Sequence, residues 1–329
     1  MALFPRRHKQ KDFFILDMAD VVPKDDTASM EHPFFSLATK PDMRHLHYKN
    51  GNNTLEIIPS GLGLPTIFDK DILIFCVSQL MHRKNQGKPI GKTVRFSARE
   101  LSIATNRPIG GNHYKRLEKA FQRLRGATFT TNIRSGDKIE NRTFGMIDEG
   151  GFVRTADEKF KLDYCEVSLS DWIMNAIESS EVLSIHEDYF RIRRPLERRI
   201  YEICRKHCGN QKQWKISLEN LQIKTGSNAP SKRFRLNIRQ IIAEDVTPFY
   251  RLSLGADDIV MVKPRKAARK QISHGITIPA WAEEKAREIA QAKGWDYYQL
   301  EREWQEFADN PKDAGAAFVG FCKRKESLR

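Results

Sequence analysis

One pattern occurs twice in this chain, and it limits the fold more than any other feature. Val94-Arg-Phe-Ser-Ala-Arg-Glu-Leu-Ser-Ile-Ala-Thr-Asn106 returns, diverged, as Trp214-Lys-Ile-Ser-Leu-Glu-Asn-Leu-Gln-Ile-Lys-Thr-Gly226. Each copy reads as a short strand, a serine cap and a helix that buries leucine and isoleucine. Ser97 with Glu100 makes a capping box, in which each side chain satisfies an orphan N–H of the first turn. Ser217 caps the second copy alone. Asn106 and Gly226 suit the left-handed residue that ends a helix. The offset of 120 residues is too long for a solenoid and marks a duplicated domain.

The flanks repeat as well. An amphipathic helix is expected before each copy, with Leu73, Val77, Leu80 and Met81 in the first and Leu196, Ile200, Ile203 and Cys204 in the second. Another helix follows each, burying Leu117, Phe121 and Leu124, then Phe234, Ile238 and Ile241. Hairpins come next. The first is expected over residues 128–133 and 139–147, around the turn Ser135-Gly-Asp-Lys138. The second is expected over 249–254 and 259–262, around Gly255-Ala-Asp-Asp258. Helix, strand, helix, turn, helix, hairpin is the winged-helix order. The expected fold class is α+β, with two tandem winged-helix domains (helix-turn-helix plus β-hairpin wing) and a C-terminal helical tail domain. The expected boundaries are a mobile N-terminal arm over 1–30, winged helices over 31–160 and 161–262, a basic linker over 263–274, and a small helical domain over 275–329.

Charge narrows the partner. Lys+Arg total 56 against 42 Asp+Glu, a net charge of +14, which draws the chain to polyanions. A hydrophobic content of 40% is enough for a core, which argues against global disorder. No apolar run reaches the roughly 18 residues a membrane span needs, and the start lacks the apolar stretch of a secretory signal. Cys76, Cys165, Cys204, Cys208 and Cys322 are odd in number and lack framework spacing. These features point to a reducing cytoplasm, no disulfides and no membrane partner.

A helix that enters the major groove needs an apolar inner side and an outer side bearing donors. Residues 112–125 meet both demands, with Leu117, Ala120, Phe121 and Leu124 inside. Asn112, His113, Lys115, Arg116, Lys119 and Arg123 are the expected DNA-binding residues there. Residues 231–243 repeat the design, with Lys232, Arg233, Arg235, Asn237 and Arg239 facing DNA and Gln240 beside them. Arginine suits guanine edges, and asparagine or glutamine suits adenine. Arg134, Lys138 and Arg142 of the first expected wing would meet phosphates or the minor groove. Lys263, Arg265 and Lys266 of the linker are assigned the same role.

Several blocks resemble the replication initiator protein A family of bacterial plasmids and some phages. They are Glu31-His-Pro-Phe-Phe-Ser-Leu37, Lys40-Pro-Asp-Met-Arg44, Ile58-Pro-Ser-Gly61 and Ile67-Phe-Asp-Lys-Asp-Ile-Leu-Ile-Phe-Cys-Val-Ser-Gln-Leu80. The similarity continues through Arg95-Phe-Ser-Ala-Arg-Glu-Leu101, Gly110-Gly-Asn-His-Tyr-Lys-Arg-Leu117 and Arg194-Pro-Leu-Glu-Arg-Arg-Ile-Tyr201 to about residue 262. The resemblance implies a tandem winged-helix initiator that binds repeats in double-stranded origin DNA, helps open neighbouring duplex, and recruits the host initiator and replicative helicase. It also implies a homodimer through the first winged helix, the form in which related initiators repress their own gene. The arm and tail lie outside the matched blocks.

The tail is rich in aromatics, with Trp281, Trp295, Tyr297, Tyr298, Trp304, Phe307, Phe318 and Phe321. Three helices are expected there: from Pro279 to a stop at Gly294, from a cap at Asp296 to Ala308, and from Asp313 to Lys325. A unit that buries these rings is the plain reading. A platform for a helicase-loading partner or single-stranded DNA, with Lys323-Arg-Lys325 on phosphates, is the sharper one.

Three motifs resemble catalytic or metal chemistry and fall short of it. Gly87 precedes Gly91-Lys92-Thr93 with one residue too few for a phosphate cradle. His45-Leu-His47 alternates as the metal-binding pair of rolling-circle nickases does, but Arg44 and Tyr48 replace the hydrophobic flanks, so surface or phosphate-contacting histidines are expected. Cys204, His207 and Cys208 lack a fourth ligand in spacing for zinc. No cofactor, metal or catalytic residue is therefore assigned, and binding without turnover is expected. The rivals are a transcriptional repressor of the same fold and, of a different class, a metal-dependent nickase.

Overall fold

A computed structural model describes residues 3–5, 7, 22–108, 112–133, 141–154, 162–209, 211–265, 278–293 and, from 295 to 325, all but 296, 298, 299, 302, 305–307, 309, 310 and 312. The body opens with β1 (Lys24–Asp26) and the short α1 (Thr27–Glu31). A hairpin of β2 (Leu46–Asn50) and β3 (Asn53–Ile58) leads to α2 (Lys70–Asn85). The first copy of the repeat is β4 (Thr93–Phe96) and α3 (Ala98–Ala104), followed by α4 (His113–Gly126). Next come β5 (Thr128–Thr131), β6 (Arg142–Phe144), β7 (Ile147–Arg154), β8 (Leu162–Leu169), α5 (Asp171–Glu178) and β9 (Val182–Ser184). The second copy runs through α6 (Pro195–His207), β10 (Trp214–Ser217), α7 (Leu218–Thr225), α8 (Ser231–Glu244), β11 (Tyr250–Leu254) and β12 (Ile259–Pro264). In the tail, α9 (Ala280–Ala292) and α10 (Ala314–Arg324) are continuous helices.

The predicted caps close the repeated helices. The Glu100 N–H donates to Ser97 Oγ at 3.1 Å, and the Ser97 N–H donates to Glu100 Oε2 at 2.5 Å. Ser217 Oγ accepts from the Asn220 N–H at 3.2 Å. Gly226 ends α7 with φ of +70°, and Asn106 takes φ of +52° after α3.

The two copies build sheets of the same strand order, β4–β8–β7 and β10–β12–β11. In each, the strand before the serine-capped helix pairs antiparallel with the second strand of a hairpin. This corrects the first expected wing. Thr128–Thr131 and Arg142–Phe144 do pair as β5–β6, but the pair joins β2–β3 in a separate four-stranded sheet of order β2–β3–β5–β6. The hairpin equivalent to the second wing is β7–β8. A strand chooses the edge that buries its apolar face, and Phe129 of β5 is fully buried against Leu55 and Ile57 of β3.

Two cores result. The first runs from Phe34 to Val182 and takes in Trp172, Ile173, Met174 and Ile177 of α5. The boundary expected at 160 therefore falls inside the chain of the first core. The second core joins Ile185–Val262 residues to Met30 and Ile74. α2 is buried on nearly all sides rather than along one stripe, because Leu73 and Val77 face the first core while Ile74 faces the second. The expected arm also changes: Lys24, Asp25 and Asp26 are buried in β1, which pairs with β9.

Charges cross the junction between the cores. Lys70 Nζ lies 2.7 Å from Asp25 Oδ2 and 3.2 Å from Glu202 Oε2. Arg198 reaches Asp71 at 2.6 Å, and Arg107 reaches the same carboxylate at 2.8 Å. Tyr189 Oη donates to Glu202 Oε1 at 2.6 Å. Buried charges persist only when paired, and here each partner comes from another element. Burial pushes the Asp25 carboxyl well above the usual carboxylate range, against the pull of Lys70.

In the tail, α9 and α10 bury Ala282, Ala286 and Ala290 with Phe318, Val319 and Cys322, joined by Leu300 and Trp304. Asp313 caps α10 by accepting from the Ala316 N–H at 2.9 Å. Trp281 stays exposed. The expected stop and cap at Gly294 and Asp296, with Tyr298 and Phe307, lie outside the described residues. Among the described residues, no helix is long and apolar enough to cross a membrane.

Candidate nucleic-acid interface

α4 and α8 occupy the same place in their modules, each between a serine-capped helix and a hairpin. α4 buries His113, Leu117, Ala120, Phe121 and Leu124. Asn112, Lys115, Arg116 and Lys119 are exposed on its other side. α8 buries Phe234, Ile238 and Ile241. Lys232, Arg233, Arg239 and Gln240 are exposed, and Asn237 is half-buried. Arg239 also borders a shallow groove between α8 and the hairpin, lined by Ile242, Leu254 and Ala256.

Three expected contacts on these helices are committed elsewhere. His113 is buried and its Nε2 lies 3.0 Å from Ser102 Oγ, packing α4 on α3. It precedes Leu117 by one helical turn and so shares the buried stripe. Arg123 grips both oxygens of Asp69 at 2.7 Å, holding α4 to the start of α2. Asp69 is remote in sequence, so nothing local signals the pair. Arg235 is 39% exposed but paired in two-pronged fashion with Asp258 at the tip of the second hairpin. It braces α8 against that hairpin.

The remaining expected contacts divide in the same way. Lys263 is exposed on β12 opposite Arg251. Arg265 is tied to Asp245 at 2.6 and 2.9 Å, so it closes the end of α8 instead of forming a free linker. Arg142 stands on β6 opposite Thr131, away from the sheet that carries β7–β8. Arg134, Lys138 and Lys266 lie outside the described residues.

Four exposed residues went unassigned in the sequence reading. Leu236 is 48% exposed at the centre of the outward face of α8. Lys232, Arg233, Arg239 and Gln240, at three- and four-residue spacing, surround it. Its signal was available: a leucine out of phase with the Phe234–Ile238–Ile241 stripe. Lys215 and Arg251 are exposed on the outer side of the second sheet, and Arg154 ends β7. Only the true strand pairing brings these forward.

Contacts account for two of the three motifs set aside in the sequence. Lys92 pairs with Asp148 at 2.7 Å. His207 stacks on Trp214 with ring centroids 4.9 Å apart, and Cys204 lies in the second core. Among the described residues, Cys204, His207 and Cys208 form no group able to hold a metal.

The sequence profile of the family described as Replication initiator protein A matches residues 24–252, from β1 into β11. The chain belongs to the replication initiator protein A family. A family relative, the "Putative replication protein" of Wigglesworthia glossinidia brevipalpis, is 38% identical over 255 residues, which span 76% of this chain and 92% of the relative. The family match begins with buried β1, in agreement with its place in the fold. The crystal structure of domains 2 and 3 of RctB superposes with a TM-score of 0.50 at 9% identity, covering 72% of this chain and 96% of that one. That likeness is one of fold. The Pi initiator protein, solved in complex with iteron DNA, aligns at a TM-score of 0.43 and 14% identity over 60% of this chain and 90% of that one.

Proposed function

We propose that this family member is a sequence-specific, double-stranded DNA-binding initiator of plasmid replication. In this reading the two modules are winged helices that set α4 and α8 into successive major-groove faces about one helical turn apart. The observation that carries it is the pair of outward cationic helix faces at equivalent positions of modules with the same sheet order. Asn112, Lys115, Arg116 and Lys119 serve one half of the site; Lys232, Arg233, Asn237 and Arg239 serve the other. Leu236 packs on thymine methyl groups, the apolar feature of the major groove. Lys215, Arg251, Lys263 and Arg154 neutralise phosphates, which adds affinity rather than sequence information. Local opening follows from contacts that only bent or unwound DNA permits. The initiator role brings in the host initiator and replicative helicase as partners, and a homodimer through the first module.

Footprinting on the protein's own replicon tests the reading. Repeats within the origin are expected to be protected, and affinity is expected to fall steeply with added salt. A replicon without any protected repeat would overturn it. Transformation with a plasmid bearing the origin then separates initiation from repression, since only an initiator sustains the plasmid.

A further inference from the structure

The outer face of the β2–β3 hairpin carries chemistry that DNA binding leaves unused. Strand alternation puts His45 and His47 on one face, and the register sets His47 directly opposite Glu56. His45 Nε2 lies 2.7 Å from Glu56 Oε1, and His47 Nε2 lies 3.7 Å from the same oxygen. One ligand atom from each residue lies within 4.8 Å of the others, the one such group among the described residues. A tetrahedral ion with bonds of about 2.0–2.2 Å needs donors roughly 3.3–3.6 Å apart, so side-chain rotation alone closes the site.

Packing, strand pairing and side-chain hydrogen bonds fix the hairpin from below. Leu55 and Ile57 are buried under the hairpin, and β5 pairs along β3. Asn132 Oδ1 accepts from the Thr54 N–H at 2.7 Å, and Asn132 Nδ2 donates to the Asn52 carbonyl at 2.7 Å, clamping the turn. Tyr48 belongs to the opposite face, where its hydroxyl approaches Gly226, so it does not stand beside the imidazoles.

We infer that His45, His47 and Glu56 bind one divalent transition-metal ion of the zinc class. Two imidazoles and a carboxylate suit zinc and its neighbours better than magnesium or calcium. Three protein ligands leave a coordination position open to water or an outside donor. In the metal-free chain the His45–Glu56 contact holds the donors together.

The test titrates Co²⁺ into metal-free, untagged full-length protein and then displaces it with Zn²⁺. One equivalent should bind, with visible d–d absorption that Zn²⁺ abolishes. His45→Ala, His47→Gln and Glu56→Gln should each weaken binding at least about tenfold, since losing even an outer-shell partner costs that much. Their far-UV circular dichroism should match that of the parent, because all three side chains are solvent-facing. Absence of stoichiometric binding would overturn the inference. So would parental affinity in the three variants, or a thiolate charge-transfer band placing the ion on a cysteine.

Discussion

Arginine takes opposite roles on the two equivalent helices. Arg239 is exposed on the outward face of α8, whereas Arg123 of α4 clasps Asp69. Arg239→Ala should weaken binding to the origin by about 1–3 kcal/mol and random DNA less, read by titration on both. Equal loss on both would make it a phosphate contact. Arg123→Ala should instead lower folding stability by about 1–3 kcal/mol, the scale of charged hydrogen bonds, read from urea midpoints. Leu236→Ala should relax preference at a thymine position without changing the salt slope, since no charge is removed. A selection from randomised sites reads that change.

At the scale of elements, caps and turns hold the modules in shape. Ser97→Ala removes one arm of the capping box and should cost about 0.5–2 kcal/mol. Gly226 matters twice over. Its φ of +70° strains any other residue, and a Cβ there would stand 2.7 Å from Pro33 Cβ. Gly226→Ala should therefore cost about 1–3 kcal/mol from backbone strain alone, with the clash in addition. The same element packs near His32, which is buried, and His207, which is half-buried. Burial, aided by Lys224, Lys206 and Arg199 and opposed by Glu31, lowers His32 and His207 from 6.5 to about 4. Their folded values lie below the unfolded ones, so the unfolded chain binds more protons between those limits. Stability is complete above about pH 6.5 and should fall as pH drops toward 4, measured by urea unfolding across that window.

At the scale of the whole molecule, α2 is the shared beam, with one side in each core. Its Asp71 binds Arg107 from the first module and Arg198 from the second. Asp71→Ala leaves both cations without their carboxylate and should destabilise the chain by about 3–5 kcal/mol. Unfolding followed by probes in both modules checks it, and both should shift because Asp71 serves each. The helical region from Ile278 onward has a core of its own and lies beyond the family match. Removing residues 275–329 and assaying origin opening and helicase recruitment tests its part in initiation, with loss of either expected.

Serine caps, apolar stripes and outward lysines were legible in the chain because each is decided within a turn or two of helix. The duplication was legible for the same reason, since it repeats local patterns. His113 could have been placed correctly from spacing alone, as it sits one turn before Leu117. Strand partners and ion pairs could not. The β5–β6 hairpin reads like a wing, yet Leu55 and Ile57 draw it into another sheet, and β7–β8 takes its place. Arg123, Arg235 and Arg265 look like free cations until folding brings Asp69, Asp258 and Asp245 against them. Local geometry follows from neighbouring residues, whereas burial and pairing depend on surfaces that exist only once distant segments have met.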